Sequence, residues 1–167
     1  MSHLTPTQTT TLKTYILADP VLAPLTSGPG TDYGAIADAL NVNASPAFVV
    51  WRTSVTREEI QNDDAFNWAQ VDNLTSGSKY RIWDWMFGNS TGTINPSKAN
   101  IRAGIAATWV GTAALLAVQA VVLARCKRNA TRLEKLFATG VGSDASPGLL
   151  VFEGAIDLSH IASIFNA

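Results

Sequence analysis

The side chains best suited to proton transfer or metal binding near neutral pH are histidines, and this chain of 167 residues has two, His3 and His160. They stand at opposite ends of the sequence, and neither is expected to have a second His, Cys or carboxylate at a metal-ligand spacing, so no metal site is expected. The run Gly140-Val141-Gly142-Ser143-Asp144 has the glycines of a phosphate or cation loop. It follows a helical stretch instead of a strand and lacks the lysine of a P-loop, so glycines shaping an ordinary loop explain it. Glu58-Glu59 and Asp63-Asp64 are adjacent carboxylates, which point in different directions on a helix and do not make a general acid/base pair. Serine and threonine hydroxyls are plentiful, but no base accompanies them at a recognisable spacing. These residues predict neither catalysis nor a cofactor. Cys126 is alone, cannot form an intramolecular disulfide, and reads as a small apolar residue.

Contact chemistry is better represented. Trp83 and Phe87 are four residues apart and share a helix face, the spacing of core packing, whereas Trp85 points elsewhere. Trp is enriched at protein interfaces, so Trp85 is a candidate contact residue. Arg125, Lys127, Arg128 and Arg132 cluster in sequence and read either as a solvated helix terminus or as a surface for an acidic patch on a partner. Trp85, Arg125, Lys127, Arg128 and Arg132 are the partner-interface candidates.

The elements that must position these residues are organised around the stretch from Ser97 to Arg128. No charged side chain occurs between Ala103 and Ala124. Such a helix is apolar on every face and needs protein or lipid around it. Eight of these residues are alanine, which contributes little to membrane insertion, and Gln119 at this depth is costly in hydrocarbon. Gly104 and Gly111 weaken a helix by roughly 1 kcal/mol each relative to alanine, and Gly111 is a point where it can break in two. Protein surroundings are therefore expected, with part of the surface facing another subunit. Ser97 is the expected N-cap, and Arg125, Lys127 and Arg128 suit the negative pole at the helix end.

Elsewhere the punctuation is local. Thr5-Pro6-Thr7-Gln8 opens a helix with a capping box, and Asp19-Pro20 ends it. Thr31 is the expected cap of a second helix carrying Ile36, Ala37 and Leu40. Thr56-Arg57-Glu58-Glu59 is a second capping box. Helices are expected from Phe66 to Leu74 and from near Ser76 through Phe87. After Asn129-Ala130-Thr131 a helix should carry Leu133, Leu136 and Phe137 inward, with Arg132, Glu134 and Lys135 outside, and stop at Gly140. Asp157 caps the last helix. Ala44-Ser45-Pro46-x-Phe48-Val49-Val50-Trp51 matches Ala145-Ser146-Pro147-x-Leu149-Leu150-Val151-Phe152, and the match continues through Val55 and Ile156, Thr56 and Asp157, Ile60 and Ile161. Pairing of the two apolar runs in a small sheet is the economical expectation.

The fold class that follows is mainly α: a helical bundle around one long apolar central helix, with a small two-stranded β element, in a single domain over 1–167. Charged residues make up only 15%, low against the usual quarter, as in a chain whose exterior meets other protein. The net charge of −1 gives no electrostatic footprint for nucleic acid, so sequence-specific DNA binding is not expected. Met1 to Thr11 lacks the basic and apolar regions of a secretory signal.

Three stretches together are familiar: Thr11-Leu12-Lys13 through Ala18-Asp19-Pro20, Ala44-Ser45-Pro46 through Trp51-Arg52, and Glu134-Lys135-Leu136-Phe137-Ala138-Thr139-Gly140 through Ala145-Ser146-Pro147. With them the chain resembles small proteins encoded among the virion structural genes of tailed bacteriophages, similar to head–tail connector (adaptor, or head-completion) proteins. The resemblance implies a virion protein and a homo-oligomeric ring, expected to be a dodecamer, docked beneath the portal protein and offering a platform to a tail or nozzle protein. It also implies a mostly helical subunit lining part of the DNA channel. Adaptors of this type often grip the portal with an extended C-terminal arm, whereas this chain is expected to end in a capped helix. The alternatives are another virion component, such as a tail-completion or head-decoration protein, or a small inner-membrane protein. A hydrolase would require a pocket where a Ser or Thr meets His160 or a carboxylate.

Overall fold

The computed structural model describes residues 4–74 and 77–166, and His3 and Ser76 lie outside them. In chain order the elements are α1 (Pro6–Ala18), α2 (Tyr33–Asn41), β1 (Val49–Trp51), β2 (Val55–Thr56), α3 (Arg57–Gln61), α4 (Ala69–Asp72) and α5 (Gly77–Phe87). There follow β3 (Thr93–Ile94), α6 (Ala99–Thr108), α7 (Ala113–Arg125), β4 (Lys127–Asn129), α8 (Arg132–Phe137) and α9 (Leu158–Phe165). The chain is mainly helical, and its strands form two-stranded sheets, β1 with β4 and β2 with β3. Contacts divide it into two compact units: one takes residues up to Val50 and from Asn129 onward, the other Trp51–Arg128.

In the first unit, Leu12 and Ile16 of α1, Ile36 and Leu40 of α2, Leu133 of α8 and Ile161 of α9 are fully buried together. The caps form as their local chemistry dictates. Thr5 and Gln8 exchange both capping-box bonds, as do Thr131 and Glu134, and Asp157 accepts from the His160 amide. The cap of α2 is Asp32 instead of Thr31, because its carboxylate reaches the Ala35 amide at 2.9 Å. Glu134, expected outside, is only 2% exposed. Its carboxylate closes the box on the Thr131 amide at 2.9 Å and also accepts from the Gly154 amide at 3.3 Å, which holds it inside. Asn41 secures the loop before α9, donating to the Ile156 carbonyl and accepting from the Ile156 amide.

The two matching apolar runs do not form a sheet with each other. Strand β1 takes residues 127–129 as its partner: the Ala130 amide donates to Phe48 at one end, and the Arg52 amide to Cys126 at the other. The second run is left with isolated bridges, Val50 to Gly148 and Thr139 to Leu149. The correspondence survives where it is local, in the caps Thr56 and Asp157 and in the buried Val55, Ile156, Ile60 and Ile161.

The second unit is built on an aromatic centre. Trp109 is fully buried, with Trp83 at 5.2 Å and Phe66 at 5.9 Å between ring centroids, both edge-on. Trp83 and Phe87 share the buried face of α5, as their spacing predicts, 5.0 Å apart. Only Ala69–Asp72 of the expected 66–74 helix is helical, because the amides of Ala65 and Ala69 turn instead on the carboxylate of Asp63 and the amide oxygen of Asn67.

Candidate interaction surface

The long central helix is two helices. α6 ends at Thr108, Gly111 sits at φ +123°, a conformation costly for any residue with a Cβ, and Thr112 caps α7 through the Leu115 amide. At the start, Ser97 does not cap: its hydroxyl donates to Asn95, and α6 begins after Lys98. Gln119 now has a defined task. Its amide donates to the carbonyls of Trp109 at 2.9 Å and Ala106 at 3.3 Å, satisfying oxygens at the open end of α6. Gln119→Leu removes that donor and should cost about 1 kcal/mol, read as a lower urea midpoint by tryptophan fluorescence.

Nor are these helices walled in on every side by their own chain. On α7 the buried residues are Leu115, Val118 and Val122, continued by Cys126. Ala113, Ala117, Ala120 and Ala124 repeat on the opposite face at spacings of four, three and four, and all are exposed. On α6, Ile105 and Thr108 face inward while Ala103, Ala106 and Ala107 face outward. All eight alanines of the charge-free run are therefore on the surface, joined by Val110 and Leu116, 44% and 47% exposed. Burial follows area: a Leu or Val removes more apolar surface from water than an Ala, so the larger side chains win the core. An exposed helix face normally carries charge, and this one carries none.

The neighbouring helix also leaves a large apolar side chain exposed. α6 packs on α5 at Gly104, where a Cβ would meet the Met86 sulfur at 2.8 Å and Ile82 at 3.8 Å. Trp85, on the outer side of α5, is 80% exposed, more than any other large apolar side chain described.

Three of the four basic candidates are occupied within their own units. Arg125 pairs with Asp63, and Lys127 and Arg102 both lie over the Trp51 ring, at 5.7 and 5.0 Å. Arg128 is part of β4 and half-buried. Arg132, in the other unit, pairs with Asp19 and donates to the Tyr15 hydroxyl at 2.7 Å. Arg125 and Ala65 hold the Asp63 carboxyl below the usual range. Asp19 is pushed up by burial but pulled lower still by the Val21 and Leu22 amides and by Arg132. Both carboxylates have folded pKa values below their unfolded values near 4, so they add stability above that pH and lose it on acidification. Urea midpoints should be flat from pH 8 to about pH 5 and fall below about pH 4.

The catalytic possibilities weighed from sequence find other uses. Ser159 and the His160 ring both bond to the Asp157 carboxylate, at 2.6 and 2.8 Å, as part of an N-cap at the exposed start of α9. These bonds, with the His160 amide, hold the Asp157 carboxyl well below the ordinary range. Gly142, at φ +72°, and Gly148 seat the Phe48 ring: a Cβ added to Gly142 would stand 2.2 Å from it. Among the described residues no cluster of His, Cys, Asp or Glu could hold a metal ion.

In the first unit a groove of about 640 Å³ runs along α1, lined by Thr7, Thr10, Thr11, Thr14, Tyr15 and Leu136. The hydroxyls of Thr10, Thr11 and Thr14 donate to carbonyls one turn back. Among the described residues no helix is long and apolar enough to cross a membrane. The outward face of α6 and α7 is thus the feature with the clearest unfilled physical requirement, and α5 separately leaves Trp85 exposed. No protein-family model, curated protein or solved structure matches the chain.

Proposed function

We propose that this chain is a structural virion protein of a tailed bacteriophage, a head–tail adaptor subunit that assembles into a ring between portal and tail. The ring, taken as a dodecamer, encloses part of the DNA channel and meets the portal protein on one side and a tail or nozzle protein on the other. One observation carries this reading: a single copy leaves the charge-free face of α6 and α7 uncovered. A ring subunit supplies the cover, because it buries surface against two neighbours of its own kind. The three stretches that resemble connector proteins support the same reading. The net charge of −1 suits a channel through which DNA must slide, since tight phosphate binding would retain it.

The competing home for such a face is lipid. Helices of 10 and 13 residues span about 15 and 20 Å, short of the roughly 30 Å hydrocarbon core. The test is sedimentation and negative-stain imaging of the full chain from micromolar to millimolar concentration, with and without phospholipid vesicles. Closed rings that ignore vesicles are expected. A monomer at every concentration, or co-flotation with vesicles, would overturn the assignment.

A further inference from the structure

We propose that the first unit holds a carboxylate site. A pocket of about 540 Å³ between α8 and residues 42–45 takes the head of an aliphatic acid, and the groove along α1 takes its chain. This goes beyond the ring reading and does not depend on it, because every residue involved belongs to one unit.

The charges point to the ligand. Residues up to Val50 and from Asn129 onward carry seven carboxylates against three lysines and arginines, Lys13, Arg132 and Lys135. Two of those three cations line this one pocket, and no Asp or Glu does. They stand three apart on α8, the spacing that puts side chains on one helix face. Arg132 is already neutralised by Asp19. Lys135 is not: its ammonium donates to the Pro46 carbonyl at 3.1 Å and lies 5.9 Å from the Phe48 ring centroid, and both partners are neutral. Among the described residues it has no carboxylate partner, so the pocket keeps one positive charge, held in place by two contacts.

The remaining polar side chains can all donate. The Tyr15 hydroxyl accepts from the Arg132 Nε at 2.7 Å, which leaves its own proton for another acceptor. Asn43 and Ser45 bring an amide and a hydroxyl that bond no other described residue. One fixed cation among neutral donors suits a singly charged oxyanion, because hydrogen bonds to an ionised group are about twice as strong as neutral ones. Charge also selects a carboxylate over a phosphate monoester, whose second negative charge would be desolvated without a partner.

The pocket shares Tyr15 and Leu136 with the α1 groove, so the two are continuous. The hydroxyls of Thr10, Thr11 and Thr14 are spent on the carbonyls of Pro6, Thr7 and Thr10, and the groove offers chiefly carbon. A peptide laid there would lose hydration at its amides without finding backbone partners on a helix wall, whereas an alkyl chain has none to lose.

Equilibrium dialysis of the full chain against labelled octanoate tests this, and it reads binding whatever the oligomeric state. One octanoate should bind per chain, with octanol and octylamine at least about tenfold weaker, since neither carries the charge that Lys135 pairs. Butyrate should also be at least about tenfold weaker, because its shorter chain removes less apolar surface from water. Lys135→Met should weaken octanoate by about tenfold, and Lys135→Arg should keep most of the binding. Asn43→Asp, at an exposed position, sets a carboxylate in the pocket and should weaken binding as much, with the circular dichroism unchanged. Octanoate bound equally by the parent and by both weakened variants would overturn the inference, as would octanol bound as tightly as the acid. Octyl phosphate bound more tightly than octanoate would reassign the site to phosphate. A leucine peptide with a free C-terminal carboxylate, bound more tightly, would reassign it to protein. Either result overturns the proposal, and so does the absence of saturable binding by octanoate.

Discussion

Trp109→Ala should destabilise the second unit by about 4 kcal/mol, the largest loss expected from any single truncation there. Trp109 is fully buried and meets Trp83 and Phe66 edge-on, so its removal deletes two aromatic contacts and leaves a cavity among rings that cannot close over it. It also stands at the α6 terminus, where its carbonyl accepts from Gln119. The indole Nε1 is buried and finds no partner among the described residues. The ring's value is therefore packing, and Trp109→Phe should cost less than half as much, since no hydrogen bond is lost. Urea unfolding followed by fluorescence resolves the two variants. All five tryptophans lie between Trp51 and Trp109, so the signal reports this unit alone. Equal losses for the two variants would show that the indole nitrogen matters after all.

Gly142→Ala is the corresponding test in the first unit, with an expected loss of about 3 kcal/mol. Two costs combine. The backbone at φ +72° disfavours any side chain, and the new methyl would stand 2.2 Å from the Phe48 ring. Phe48 also carries Lys135 over its face at 5.9 Å, and its carbonyl accepts from the Ala130 amide, so the ring cannot retreat without disturbing that junction. The double variant Gly142→Ala/Phe48→Leu separates the costs: the steric part should be relieved and the backbone part, about 1–2 kcal/mol, should remain. Because this unit has no tryptophan, far-ultraviolet circular dichroism and limited proteolysis are the measurements to use. A variant as stable as the parent would mean that the Gly140–Asp144 glycines are not there to seat the ring.

What the sequence determined by itself is the punctuation, because caps and breaks are set by atoms three or four residues apart. Thr5, Thr56, Thr131 and Asp157 start their helices, and Gly111 interrupts the charge-free run, each for reasons contained in a single turn of chain. The mainly helical class follows from those signals.

The tertiary structure alone decided questions whose local answers were tied. The second apolar run was the expected partner for β1, and the segment at 127–129 took its place because strand pairing depends on where the chain returns. Glu134 went inside because a loop twenty residues later offered its carboxylate a second amide. Arg125 and Arg132, neighbours in sequence, were committed to carboxylates in separate units. And which side of an uncharged helix would stay in water could not be settled by polarity. Competition for buried area settled it, leaving the small side chains outward.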